Sequence, residues 1–225
     1  MKKGLLLLVL LAGQFGSAQA QHLVNGGFED PVTVQYTTLN HGNPSLTGWT
    51  IGLEGVDVSG PSNPFLIGAP YEGSQYLDLD GSPGPGMISQ TFATTAGMEY
   101  RLKFAYAMAY PNTLSASAAV RVYDSTGNLL SDLVSHSAST PGNLAWVAYD
   151  APFTANGNLT TLEFRSESGV FSYGGLLLDG VEIVPEPSIV ALCFVGIGAV
   201  LATPLIRRRV PGWTVRPTNP TNRHE

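Results

Sequence analysis

Between residues 75 and 184 apolar and polar positions alternate with a period of two in one segment after another. Glu99–Met108 sets Tyr100, Leu102, Phe104, Tyr106 and Met108 on one side, with Glu99, Arg101, Lys103, Ala105 and Ala107 on the other. Successive side chains of a strand point to opposite faces, so this pattern predicts a strand with one buried side. Segments 75–80, 87–92, 118–124, 146–150, 159–166 and 176–184 read the same way. Turn signals separate them, among them Gly81-Ser82-Pro83-Gly84, Ser125-Thr126-Gly127-Asn128 and Asn156-Gly157-Asn158. No stretch of this region carries a helical period. About seven to nine strands at this spacing predict an all-β chain folded as a two-sheet sandwich of the jelly-roll kind.

The two ends follow another pattern. Lys2 and Lys3 precede an apolar run from Leu5 to Ala12, and the stretch closes on Ala18-Gln19-Ala20. A basic start, a short apolar run and a small-x-small site predict a signal peptide over residues 1–20, cut after Ala20. At the other end Ile189–Ile206 carries no charge, and Arg207, Arg208 and Arg209 follow at once. At about 1.5 Å per residue, this run spans roughly 27 Å, which predicts a single transmembrane helix with its arginines on the cytoplasmic side. Residues 210–225 hold three prolines and no periodicity, as expected of a disordered tail.

Pro185, Glu186 and Pro187 stand just before that span, so a Pro-Glu-Pro motif, an apolar helix and an arginine cluster occur in order. The ordered set, residues 185–209, resembles the PEP-CTERM sorting signal of exported bacterial proteins. The resemblance implies an exosortase-type membrane protease as processing partner, membrane anchoring through the C-terminal helix, and then a place at the cell surface or outside the cell.

Removing both ends leaves an exported domain over 21–184. It holds four basic residues, Arg101, Lys103, Arg121 and Arg165, against fifteen acidic ones. Such a surface repels phosphate backbones, which excludes nucleic acid as a partner, and attracts cations. The chain's one cysteine, Cys193, excludes an intrachain disulfide.

Several phrases of the domain match one pattern: Asn25-Gly26-Gly27-Phe28-Glu29, Gly48-Trp49-Thr50, the run from Tyr76 to Phe104, and Leu178-Asp179-Gly180-Val181-Glu182-Ile183. Together they resemble the choice-of-anchor C family of exported bacterial proteins. The resemblance implies a galactose-binding-like jelly roll akin to carbohydrate-binding modules.

Candidate chemistry is sparse. In a regular strand over 176–184, Asp179 shares a face with Leu177, Val181 and Ile183, where a carboxylate needs a partner. With so few cations in the domain, a structural calcium ion is one expected partner, with Glu29 as the second carboxylate, as related modules hold calcium near such residues. The other reading has Asp179 bonding backbone N–H groups at the Gly180 turn and Glu29 in solvent. Asp78 and Asp80 match the start of an EF-hand loop, but no Glu stands at the twelfth position, so a solvated strand face is expected there, with a surface metal or sugar-hydroxyl contact as the other reading. Trp49 and Trp146 are expected in the core. Tyr71, Tyr110, Phe171 and Tyr173 lie beside Pro or Gly in loops, where an aromatic ring can stack on a sugar. His22, His41 and His136 form no metal-ligand pair, and no Gly-x-Ser-x-Gly elbow occurs. The domain therefore reads as non-catalytic, binding or organising surface or extracellular polysaccharide. The alternative is a structural or adhesion component of the matrix whose partner is protein or a second copy.

Overall fold

The computed structural model describes residues 23–64, 68–81, 83–108, 115–137, 140, 142–168 and 175–186. Among them lie eleven strands and no helix. One sheet has six strands in the order β1 (Tyr36–Asn40), β3 (Gly55–Ser59), β4 (Tyr76–Asp78), β11 (Leu176–Pro185), β6 (Glu99–Met108) and β9 (Val147–Thr154). The other has five: β2 (Thr50–Leu53), β5 (Gly86–Ala93), β10 (Leu159–Ser166), β7 (Ala116–Asp124) and β8 (Gly127–His136). Every pairing is antiparallel. This is the predicted two-sheet sandwich, with more and shorter strands than the alternation alone marks.

The apolar rows meet between the sheets. Tyr100, Leu102, Phe104 and Met108 of β6 face Val120 and Val122 of β7 and Leu162 and Phe164 of β10 in one buried cluster. Trp49 joins it as expected, 5.6 Å from Phe28 and 6.3 Å from Phe164, and its indole N–H donates to Asn25 O. Phe164 also meets Phe104 edge-on at 4.9 Å, a favoured aromatic geometry.

Two strands depart from simple alternation. Leu176, Leu177, Leu178 and Asp179 are all fully buried, because β11 lies inside the six-stranded sheet and loops cover its outer side. A bulge between Asp179 and Glu182, with Gly180 at φ 60°, then resets the register against β6. An inserted residue moves every later side chain to the other face. Asp179 consequently shares Leu177's outer side, while Val181 and Ile183 join Leu176 and Leu178 in the core. The expected row of Asp179 with Val181 and Ile183 does not form.

The sandwich also runs past the expected boundary at 184. Pro185 still pairs with Tyr100, and Glu186 N–H donates to Glu99 O. Glu186 lies 3.6 Å from Arg101, which also pairs with Asp150 at 2.6 Å. The signal peptide (1–20), Pro187, the apolar span 189–206, Arg207–Arg209 and the tail lie outside the described residues. No helix among the described residues is long and apolar enough to cross a membrane.

Gly86 marks a close approach of the two sheets where β3 and β5 begin: a Cβ there would fall 2.0 Å from Gly55 O. Gly86→Ala is expected to lower the unfolding free energy by about 1–3 kcal/mol, since the backbone must move to admit the methyl group. Urea unfolding of the variant beside the parent chain measures it.

Candidate functional site

After β3 the chain crosses the outer side of the six-stranded sheet before entering β4. It rests on a second small apolar cluster made by Tyr76, Ala107, Leu144 and Leu177, with Trp146 packed against it. Trp146 thus packs on the outer side of this sheet, away from the central core, and its indole N–H donates to Ala69 O at 2.9 Å.

Segment 71–75 is held by side chains from two other parts of the chain, and its own Gln75 side chain ties it to a third. Asp179 Oδ2 accepts from Tyr71 N–H (2.8 Å) and Glu72 N–H (3.0 Å), and its Oδ1 accepts from Gly180 N–H (2.7 Å). Glu29 Oε1 accepts from Ser74 N–H (2.7 Å) and Gln75 N–H (3.0 Å). The Gln75 amide in turn donates to Phe28 O and Pro31 O and accepts from Thr33 N–H. Backbone donors that would otherwise be costly to bury are met by carboxylates, which form the stronger, charge-assisted class of hydrogen bond.

Tyr71 is 53% exposed, with its ring edge-on to Trp146 at 6.3 Å. It lies over Gly180, where a Cβ would approach Tyr71 Cδ1 to 3.2 Å. The Glu72 carboxylate sits beside it, with Oε1 2.9 Å from where a Cβ on Gly27 would be. A flat ring next to a carboxylate on a clamped backbone can stack on an apolar face and accept hydroxyl protons.

Of the expected ligand contacts, Tyr71 is placed here, while Tyr110, Phe171 and Tyr173 lie outside the described residues. Glu29 and Asp179 do come to one loop, but as acceptors of backbone N–H groups. Five backbone donors already engage three of their four oxygens. Among the described residues no three His, Cys, Asp or Glu gather as an ion-holding group. These residues as placed do not fit a calcium ion. Burial pushes the Asp179 carboxyl up to about 7 against the pull of its N–H partners, and the negative Glu72 adds to the rise.

The expectation of a solvated face at Asp78 and Asp80 is corrected: they are 3% and 9% exposed. Asp78 Oδ1 accepts from Asp80 N–H (2.9 Å) and Gly175 N–H (3.0 Å), and Asp80 accepts the Ser166 hydroxyl. Burial pushes Asp78 up to about 7 as well. His136 is buried with Nε2 2.9 Å from Ala145 O. Glu72 and Gln75 were not legible as site residues; the only cue was their place beside Tyr71.

A family model described as "Protein of unknown function (DUF642)" matches residues 21–183. Halomucin of Haloquadratum walsbyi is 30% identical over 189 residues, which cover 79% of this chain and 2% of halomucin. The chain therefore spans a small fraction of that curated relative's length. Among solved structures, TmCBM61 in complex with β-1,4-galactotriose is similar at 21% identity and a TM-score of 0.48, covering 74% of this chain and 99% of that one. The CBM22-1 xylan-binding domain of Paenibacillus barcinonensis Xyn10C is similar at 15% identity and a TM-score of 0.40, covering 68% and 97%. A family 35 carbohydrate-binding module from Clostridium thermocellum is similar at 15% identity and 0.39, covering 67% and 98%.

Proposed function

The chain belongs to the DUF642 family, and from that premise we propose that it is an exported, non-catalytic β-sandwich that binds polysaccharide through the loop carrying Tyr71. The supporting observation is the half-exposed Tyr71 ring, fixed edge-on by Trp146 and flanked by Glu72, on a backbone clamped by Asp179 and Glu29. A ring already held in place loses little entropy on binding, so its contact area is converted efficiently into affinity. The non-catalytic reading is supported by the carboxylates themselves. Asp78 and Asp179 are buried and engaged with backbone donors, and neither is open to a substrate as general acid or base.

The signal peptide, the Pro185-Glu186-Pro187 motif and Arg207–Arg209 belong to the same proposal. The chain leaves the cytoplasm, is held by its C-terminal helix, and reaches the cell surface after exosortase cleavage. Mass spectrometry of the mature protein tests this: the expected N-terminus is Gln21 and the expected product lacks the arginine cluster. For binding, Tyr71→Ala is expected to weaken affinity for a neutral polysaccharide at least tenfold in affinity gel electrophoresis, which is about 1.4 kcal/mol. Unchanged retardation would remove the loop from the site.

A second reading has its own observation. Tyr36, 43% exposed, opens β1 at the edge of the six-stranded sheet, and Val32 and Val34, 84% and 67% exposed, stand in the segment that leads into it. Unguarded apolar edges invite pairing with another chain. Under this reading the protein is a matrix or adhesion component with a second copy as partner, and Val34→Lys is expected to shift sedimentation from dimer to monomer.

A further inference from the structure

We infer that the outer face of the five-stranded sheet is a second polysaccharide-contacting surface, so that one domain holds two neutral polysaccharide chains on opposite sides and cross-links them. This inference rests on the reading of Tyr71 as a sugar contact.

The strand register assembles the second surface. Thr91 of β5 pairs with Thr161 of β10, which pairs with Tyr123 of β7. One row along, Ser89 pairs with Glu163, which pairs with Arg121. Phe92, Leu162 and Val122 alternate with these residues and are buried between the sheets, so both rows face outward. The Tyr123 phenol bonds the Glu163 carboxylate, and Arg121 Nη1 lies 3.7 Å from Glu163 Oε1. The Thr91 and Thr161 hydroxyls are 2.8 Å apart. An open hollow of about 510 Å³ adjoins them, with Tyr123 and Thr161 on its wall together with Asn158 and Leu159, the last 63% exposed. A phenol ring and an exposed leucine offer apolar contact to the C–H face of a pyranose. The carboxylate, guanidinium, amide and paired hydroxyls accept from and donate to its hydroxyl groups.

Charge selects the class of polymer. Arg121 and Glu163 cancel one another, and the domain as a whole carries fifteen acids against four bases. An acidic polysaccharide is repelled, whereas a neutral one is not. The opposition of the two surfaces is fixed by the fold. Tyr71 is bonded to Asp179, whose side chain leaves β11 on the outer side of the six-stranded sheet, while Tyr123 stands on the outer side of the other sheet. The core lies between them. Two sites on one rigid body facing opposite ways cannot both close on the same short stretch of polymer, but they can join two strands, with the avidity of a bivalent linker.

The test uses the full chain with four soluble neutral polymers (galactan, xylan, mannan and β-glucan) and with polygalacturonate as the acidic comparator. The readouts are affinity electrophoresis and light scattering of the polymer. With at least one neutral polymer, scattering is expected to rise and then fall as protein is added, as for a bivalent cross-linker. Tyr71→Ala, Tyr123→Ala and Glu163→Gln are each expected to keep measurable binding, at least tenfold weaker, and to abolish the rise in scattering. The Tyr71→Ala/Tyr123→Ala pair is expected to abolish binding. Glu163→Gln keeps the side chain's size and so separates loss of contact from loss of fold. If Tyr123→Ala and Glu163→Gln leave affinity and scattering unchanged while Tyr71→Ala weakens binding, the second surface is overturned and the Tyr71 reading stands. Scattering that persists in both variants through self-association also overturns it. If no polymer binds the parent chain, both readings fall, and binding confined to polygalacturonate overturns the neutral class.

Discussion

Asp179→Ala is expected to lower the unfolding free energy by about 3–5 kcal/mol, with a chelator making no difference to either parent or variant. Asp179 is fully buried and accepts from three backbone N–H groups at 2.7–3.0 Å. An alanine leaves the donors of Tyr71, Glu72 and Gly180 without an acceptor, each at a cost of about 1–3 kcal/mol if it stays buried. The penalties do not simply add, because segment 71–75 can lift towards water, and that movement carries Tyr71 away from Trp146. Asp179→Asn separates charge from hydrogen bonding: its amide oxygen accepts two of the three donors and it buries no ion, so it is expected to retain most of the parent's stability. Glu29→Ala is expected to cost less, about 1 kcal/mol, because Glu29 is exposed and water can replace it. Urea unfolding of all four proteins with and without a chelator is the measurement. A parent midpoint that falls on chelation, with no such fall in Asp179→Ala, would assign the carboxylates to a cation instead.

The sandwich was legible in the sequence because most of its strands have one wet face. β7 and β10 alternate cleanly and are buried on the side the alternation marks, and β6 does so over Glu99–Phe104 before its last residues are buried on both faces. The reading failed where a strand is covered twice. In β11 three leucines and an aspartate are buried in succession, which period-two logic cannot assign to a side. A single inserted residue at Gly180 then inverted the expected partners of Asp179. Asp78 and Asp80 failed because their partners, Gly175 just before β11 and Ser166 on β10, are remote in sequence, and no local pattern records them. The site was half legible. Tyr71 and the pairing of Glu29 with Asp179 to one locus came from loop context and resemblance. That these carboxylates bind the backbone of 71–75 depends on contacts more than forty residues apart, which no spacing rule reaches.

The domain is expected to lose stability as pH rises from about 4 to 8, and Asp78→Asn is expected to remove much of that loss. Asp78 is pushed by burial from an ordinary 3.8 to about 7, and the neighbouring charges of Asp80 and Asp57 add to the rise while the N–H groups of Asp80 and Gly175 oppose it. No Lys or Arg enters this balance, so nothing nearby compensates a charge on Asp78. Between pH 4 and 7 the folded chain therefore holds a proton that the unfolded chain has released. Its stabilising share is complete below about pH 4 and is lost as pH climbs through 7. At about 1.4 kcal/mol per pH unit the loss reaches at most about 4 kcal/mol. Asp179, also raised to about 7 by burial, bends the curve in the same direction. Asp124 acts the other way, because its bonds to Thr126 hold it below the ordinary value, so its contribution disappears only as pH falls into the acid range. The sum is a stability maximum on the acid side of neutrality. An asparagine at position 78 keeps an oxygen for the Asp80 and Gly175 donors and carries no charge at any pH. Asp78→Asn is thus expected to match or fall slightly below the parent at pH 5 and exceed it by about 2–4 kcal/mol at pH 8, with a visibly flatter profile between. Equal pH profiles for parent and variant in urea unfolding would mean that Asp78 ionises as freely inside the fold as outside it, and its burial would have to be abandoned.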